Sequence, residues 1–153
     1  MKKQTTTALC ALLCLLSLTV AAQQNKIPVN EPDYNKPRIF TDLPDKMIIR
    51  LADAQKLFSL AAGVSASVQL TDELFIKGVV VSNGESDGIK TVIIRAVNRN
   101  NAVFTFTRIN KANGSMHFVG RIMSRDNGDA LEIRKDENVY VLNKINLYDL
   151  ISE

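Results

Sequence analysis

From Ser67 to Ile145 the chain alternates between runs rich in Val, Ile, Phe, Tyr and Thr and short polar clusters. The runs are Ser67–Leu70, Leu74–Val81, Thr91–Val97, Ala102–Ile109, Met116–Met123, Ala130–Lys135 and Val139–Ile145. Residues of those types at alternating positions build half-buried strands. The clusters between them, Asn83-Gly84, Asn98 to Asn101, Asn113-Gly114, Asn127-Gly128 and Asp136 to Asn138, carry turn residues. Connections this short join antiparallel neighbours, because parallel strands need long crossovers. The pattern predicts a mainly β fold: an antiparallel six- to seven-stranded meander, a curled sheet or small barrel, with one short N-terminal helix.

The helix is expected over Ala54 to Ala62, with Asp53 as its N-cap and Gly63 as its stop. Leu57, Leu60 and Ala61 would share its apolar face, with Phe58 beside it. Ahead of it, Met47–Leu51 is a short apolar run compatible with a strand. Residues 23–46 hold all four prolines among many polar residues and read as an extended arm. The single β-rich domain would then span 47–153.

Residues 1–22 have the three parts of a secretory signal: Lys2 and Lys3, an apolar run from Ala8 to Leu18, and Val20-Ala21-Ala22 before Gln23. The apolar run is short for a membrane span of about 20 residues. Both cysteines, Cys10 and Cys14, lie inside the leader, each behind a leucine where a lipid-attachment box needs a small residue. The exported chain would therefore lack disulfides and thiolate chemistry, which suits a bacterial periplasm. Cleavage would take two of the 19 basic residues and no acids, leaving 17 against 16 and a net charge of +1 rather than +3. A general attraction to polyanions such as nucleic acid then has little basis.

Arg95, Arg108, Arg121 and Arg134 recur at intervals of 13, one per strand. With symmetric turns, Arg95, Phe104, Arg121 and Glu132 form one cross-strand row. Ile93, Phe106, Val119 and Arg134 form the next, and Arg108 faces His117. Val92, Ile94, Ala96, Val103, Phe118, Ile122, Leu131 and Ile133 would form the core face. A slip of one residue in any hairpin would exchange the faces. The Arg/Phe face has two readings. It is a set of ordinary sheet stabilisers, with Arg121 paired to Glu132. Or it binds an exported partner protein or a small anionic or polar ligand, with Arg as bidentate donor and Phe as platform.

Catalytic signals are weak. His117 is the one histidine of the chain, so a multi-histidine metal centre is excluded, and no cofactor motif is present. Asp126-Asn127-Gly128-Asp129 lacks the ligand spacing of a calcium loop and reads as a turn. Glu132 with Asp136 or His117 is the only carboxylate constellation that suggests a hydrolase. A third possibility is an inhibitor-like or pro-domain-like partner of an exported hydrolase, using the turns Asn83 to Gly88 and Asn110 to Ser115.

The segment FTFTRINKANGSMHFVGRIMSRDNGDALEIRKDENVYVLNKINLYDLISE resembles the C-terminal halves of small exported proteins of Bacteroidetes-type bacteria. LPDKMIIRLADAQKLFSLAAG followed by FIKGVVVS fits the same arrangement. The resemblance implies an envelope location and carries over no activity and no site residues.

Overall fold

A computed structural model describes residues 35–147. The leader, residues 23–34 of the expected arm and the final six residues lie outside them. The described chain is mainly β, an eight-stranded antiparallel sheet curled into a half-barrel with one short helix.

The strands are β1 (Lys46–Ile48), β2 (Ser65–Gln69), β3 (Phe75–Ser86), β4 (Ile89–Ala96), β5 (Ala102–Asn110), β6 (Met116–Met123), β7 (Asp129–Asp136) and β8 (Val139–Asn146). Their order across the sheet is β1-β8-β7-β6-β5-β4-β3-β2, so β2 to β8 are a pure meander and β1 joins beside β8. The eighth strand is the three-residue β1, at the start of the Met47–Leu51 run that is compatible with a strand. Where it ends, Ile49 donates its N–H to the Tyr140 carbonyl and Arg50 donates to Leu70. Two consecutive residues thus bridge the two edges of the half-barrel.

The helix differs from expectation at both ends. Helix α1 covers Leu51–Gln55 and continues as a 3-10 turn over Lys56–Ser59, with Arg50 at the N-cap position. Asp53 lies inside the first turn, where it pairs with Lys56 at 2.7 Å. The apolar side is Ala54, Leu57 and Phe58, whereas Ala61 is exposed beyond the helix.

The concave face of the sheet is the core, and α1, the 3-10 turn and residues 36–45 fill it. Residues 36–45, expected to end an extended arm, are instead packed: Phe40 is fully buried and Leu43 nearly so. Asp129 holds them. Its buried carboxylate accepts the main-chain N–H groups of Ile39 at 2.9 Å and Phe40 at 2.8 Å. Gly128 N–H and the Asn127 side chain both donate to the Pro37 carbonyl. The Asp126 to Asp129 turn is therefore the clasp for the N-terminal segment.

Two hairpins shift the register predicted from symmetric turns. The β4–β5 loop is five residues, Val97 to Asn101, because Ala96 pairs with Ala102. Asn100 and Asn101 both take positive φ, 49° and 54°, and close a tight turn from Arg99 to Ala102. Asn98 leaves that turn and caps β3, accepting from Lys77 N–H and donating to the Phe75 carbonyl. The β5–β6 loop is also odd, Lys111 to Ser115, with Gly114 at φ +79°. Each odd loop moves the pairing by one residue, so β5 is turned over relative to expectation. Asn83-Gly84 is no turn at all. It lies within β3, and Asp87-Gly88 makes the two-residue reversal, at φ 52° and 77°.

Candidate functional site

The inversion of β5 decides which residues share the outer, convex face. Phe104 stands opposite Ile94 and Ile122, and Phe106 opposite Val92 and Gly120. Both phenylalanines are fully buried on the core face, where Phe106 stacks on Phe58 with centroids 4.9 Å apart. They cannot be a ligand platform, which corrects the expected Arg/Phe face. Val103, assigned to the core, is on the outer face opposite Arg95.

Arg108 is corrected as well. It pairs with Phe118, not His117, and so lies on the core-facing side near the sheet's end. Its guanidinium sits 5.7 Å above the Phe58 ring and 3.4 Å from Glu85. The arrangement is an aliphatic stem laid over an aromatic layer with its charge at the rim. Arg95 is exposed on the outer face, two strands from Arg121 and one row away, and it is not among the residues that line a cleft with Arg121.

The structure brings together Arg121, Arg134 and His117. They line a cleft of about 590 Å³ over β5, β6 and β7, with Thr105 and Thr107 beneath and Lys135 at its end. The cleft exists because the β6–β7 ladder is short. Pairing runs from Met123↔Ala130 to Gly120↔Ile133 and stops there, although both strands continue. Beyond that point the Phe118 N–H donates to the Tyr140 hydroxyl at 3.2 Å instead of to β7. The same hydroxyl lies 3.4 Å from His117 Nδ1.

Gly120 sits where the strands separate. A Cβ there would lie 2.6 Å from the Thr105 carbonyl oxygen and 2.9 Å from Ile133 Cδ1. Glycine permits β5 and β7 to close tightly on this row while the strands diverge beyond it.

Glu132 is the electrostatic centre of the cleft. Arg121 donates to its Oε1 through Nε at 3.2 Å and Nη2 at 2.9 Å, and Arg134 Nε donates to Oε2. This Arg121–Glu132 pairing agrees with the sequence register. Partial burial works to raise the Glu132 pKa. The hydrogen bonds from both arginines and their charges outweigh it and hold the carboxyl below the ordinary range. Both arginines remain about half exposed, at 47% and 60%. Two cations, Arg121 and Arg134, thus share one carboxylate, and Lys135 adds a further charge at the end of the cleft.

Of the hydrolase pairings, Glu132 and His117 share the cleft lining, whereas Glu132 and Asp136 do not come together. Glu132 and Asp136 are four residues apart on one strand, roughly 13 Å along it, and Asp136 pairs with Lys46. Catalytic carboxylates in glycoside hydrolysis stand about 5–9.5 Å apart. Of the proposed contact turns, Lys111 to Ser115 is exposed, whereas Asn83 to Gly88 shrinks to Asp87-Gly88. Sequence reasoning missed Thr105, Thr107 and Lys135. The alternation Phe-Thr-Phe-Thr over 104–107 was the available signal, since threonine is the better outward residue of each pair. No family model, curated protein or solved structure matches the chain.

Proposed function

We propose that the chain is an exported, non-enzymatic β module that binds a small anionic ligand in the outer cleft. The observation that carries this reading is the surplus of positive charge around Glu132. Arg121 and Arg134 share that one carboxylate and keep further donors directed to solvent. Guanidinium groups so arranged favour a planar carboxylate. The concave floor of Thr105 and Thr107 offers hydroxyls for a polar ligand body. Export rests on the leader pattern of residues 1–22.

The test is titration followed by amide chemical shifts, with galacturonate and an N-acetylated dipeptide acid as probes. Galactose and the dipeptide amide serve as neutral partners. The acids should perturb His117, Val119 and Arg121, and the neutral forms should not. R121A/R134A should weaken binding on the order of tenfold or more, the loss of one to two charge-assisted contacts. R95A, outside the cleft, should leave it unchanged. Equal response to acid and neutral probes, or none at millimolar concentration, would reject the reading.

A further inference from the structure

The sheet has two edges, and they are protected unequally. The β1 edge is three residues long and carries Lys46, whose ammonium is paired to Asp136. The β2 edge is Ser65-Ala66-Ser67-Val68-Gln69, with no charge, no proline and no bulge. Those are the devices that ordinarily guard an exposed edge against added strands.

Which β2 amides point outward follows from the hydrogen bonds that flank the strand. Leu70 donates to the Leu74 carbonyl and Val64 accepts from Val80, so the even-numbered residues face β3. The N–H and C=O groups of Ser65, Ser67 and Gln69 must then face away from the sheet, since alternate residues of a strand pair on opposite sides. Among the described residues none takes up these outward main-chain groups.

A second observation lies beside them. Between this edge and the α1/3-10 segment runs a groove of about 490 Å³. Leu57, Leu60 and Val68 supply its apolar lining, and the Asp53–Lys56 ion pair stands at its rim. One end is closed where Arg50 bonds to the Leu70 carbonyl and pairs with Asp72 at 2.5 Å. The groove therefore combines a ladder of unsatisfied main-chain groups with an apolar wall.

We infer that this groove is a binding site for an extended peptide of another polypeptide, which adds to β2 as a ninth strand. Only an extended backbone repeats donors and acceptors at the spacing of Ser65, Ser67 and Gln69. Every second side chain of such a strand would point inward, so the site selects apolar residues at alternating positions to meet Leu57 and Leu60. The edge supplies affinity and the helix side supplies selectivity. This site shares no residue with the anion cleft, so either can fail without the other.

The probe is the soluble pentapeptide Ac-Lys-Val-Thr-Val-Glu-NH2, added to the full chain, with amide hydrogen exchange and chemical shifts as readouts. Exchange at Ser65, Ser67 and Gln69 should slow on addition, while Ala66 and Val68, already in the β3 ladder, should change little. The same peptide N-methylated at its threonine and glutamate, which cannot pair on one of its edges, should bind on the order of tenfold more weakly or present its other edge only. S67P removes one outward N–H without touching the β3 ladder, so it should fold with an unchanged melting temperature and bind the probe on the order of tenfold more weakly. L60S tests the apolar wall independently and should also weaken binding. No slowing at millimolar peptide, or equal binding by S67P, overturns the inference. Slowing that grows with protein concentration alone overturns it too, because a second copy would then cover the edge.

Discussion

The Phe118 N–H donates to the Tyr140 hydroxyl at 3.2 Å, across the gap where β6 and β7 part. Tyr140 reaches that point from β8, packing edge-on against the Phe118 ring with centroids 5.5 Å apart. A side chain two strands away thus satisfies a main-chain donor that the sheet leaves open. That substitution lets the cleft exist without an orphaned amide at its inner wall.

Tyr140→Phe keeps the ring contacts and removes only the hydroxyl. Because Tyr140 is buried, the Phe118 amide should lose its partner at a cost of about 1–2 kcal/mol. The denaturant midpoint should fall with an unchanged slope, and Phe118 should exchange faster. An unchanged midpoint would show that β6 re-pairs with β7 or that water replaces the hydroxyl.

How much of this was readable beforehand differs from hairpin to hairpin. Arg121↔Glu132 was legible because the six residues 124–129 between Met123 and its partner Ala130 leave the symmetric register intact. The positions of Phe104 and Phe106 were not, because both neighbouring loops hold an odd number of residues. Asn98 to Asn101 looks like one turn, but Asn98 bonds to β3 and only Asn100-Asn101 reverses the chain. No local propensity distinguishes those two uses of asparagine, since both depend on what lies across the sheet. Phe40 and Leu43 were hidden for a similar reason. They sit in a proline-rich polar stretch whose packing depends on the Asp129 carboxylate, 89 residues away from Phe40 in sequence.

Asp129 should accordingly be a large single contributor to stability among the polar residues. Asp129→Ala leaves two amides without an acceptor and should cost about 3 kcal/mol, twice a hydrogen bond to a charged group at the low end of its range. Asp129→Asn retains one acceptor oxygen and should cost less. Limited proteolysis gives the location: residues 36–45 should become cleavable in Asp129→Ala before the sheet does. Uniform loss of protection across all strands would mean that the segment and the sheet unfold together.

Gly120→Ala is the corresponding test of the row where the strands separate. An alanine usually stabilises a strand interior relative to glycine. Here its Cβ would meet the Thr105 carbonyl oxygen at 2.6 Å, and a main-chain atom cannot swing aside. The expected effect is a loss of about 2 kcal/mol, in the range of overpacked cores. Adding Ile133→Val should recover only a part, because it relieves the Ile133 contact and not the one to Thr105. Full recovery would move the constraint from the backbone to the side chain.

Glu132 sets the direction of a pH effect at the cleft. Burial raises its pKa, but hydrogen bonds and charge from Arg121 and Arg134 prevail, so the folded value lies below the unfolded one. A group of this sign contributes its full stability above the unfolded pKa, about 4.3. The contribution is lost as pH falls through the lower folded value. Both arginines are about half exposed, so screening limits each pair to a fraction of a kcal/mol. Melting temperatures of the native chain should therefore fall between about pH 5 and pH 3. Glu132→Gln cannot titrate, and its profile should be shallower over that interval, with no difference in slope from pH 6 to 8. Parallel profiles would show that the two ion pairs contribute nothing to folding. The acid loss would then belong to another carboxylate, such as Asp53, which the hydrogen bond and charge of Lys56 hold below the ordinary range.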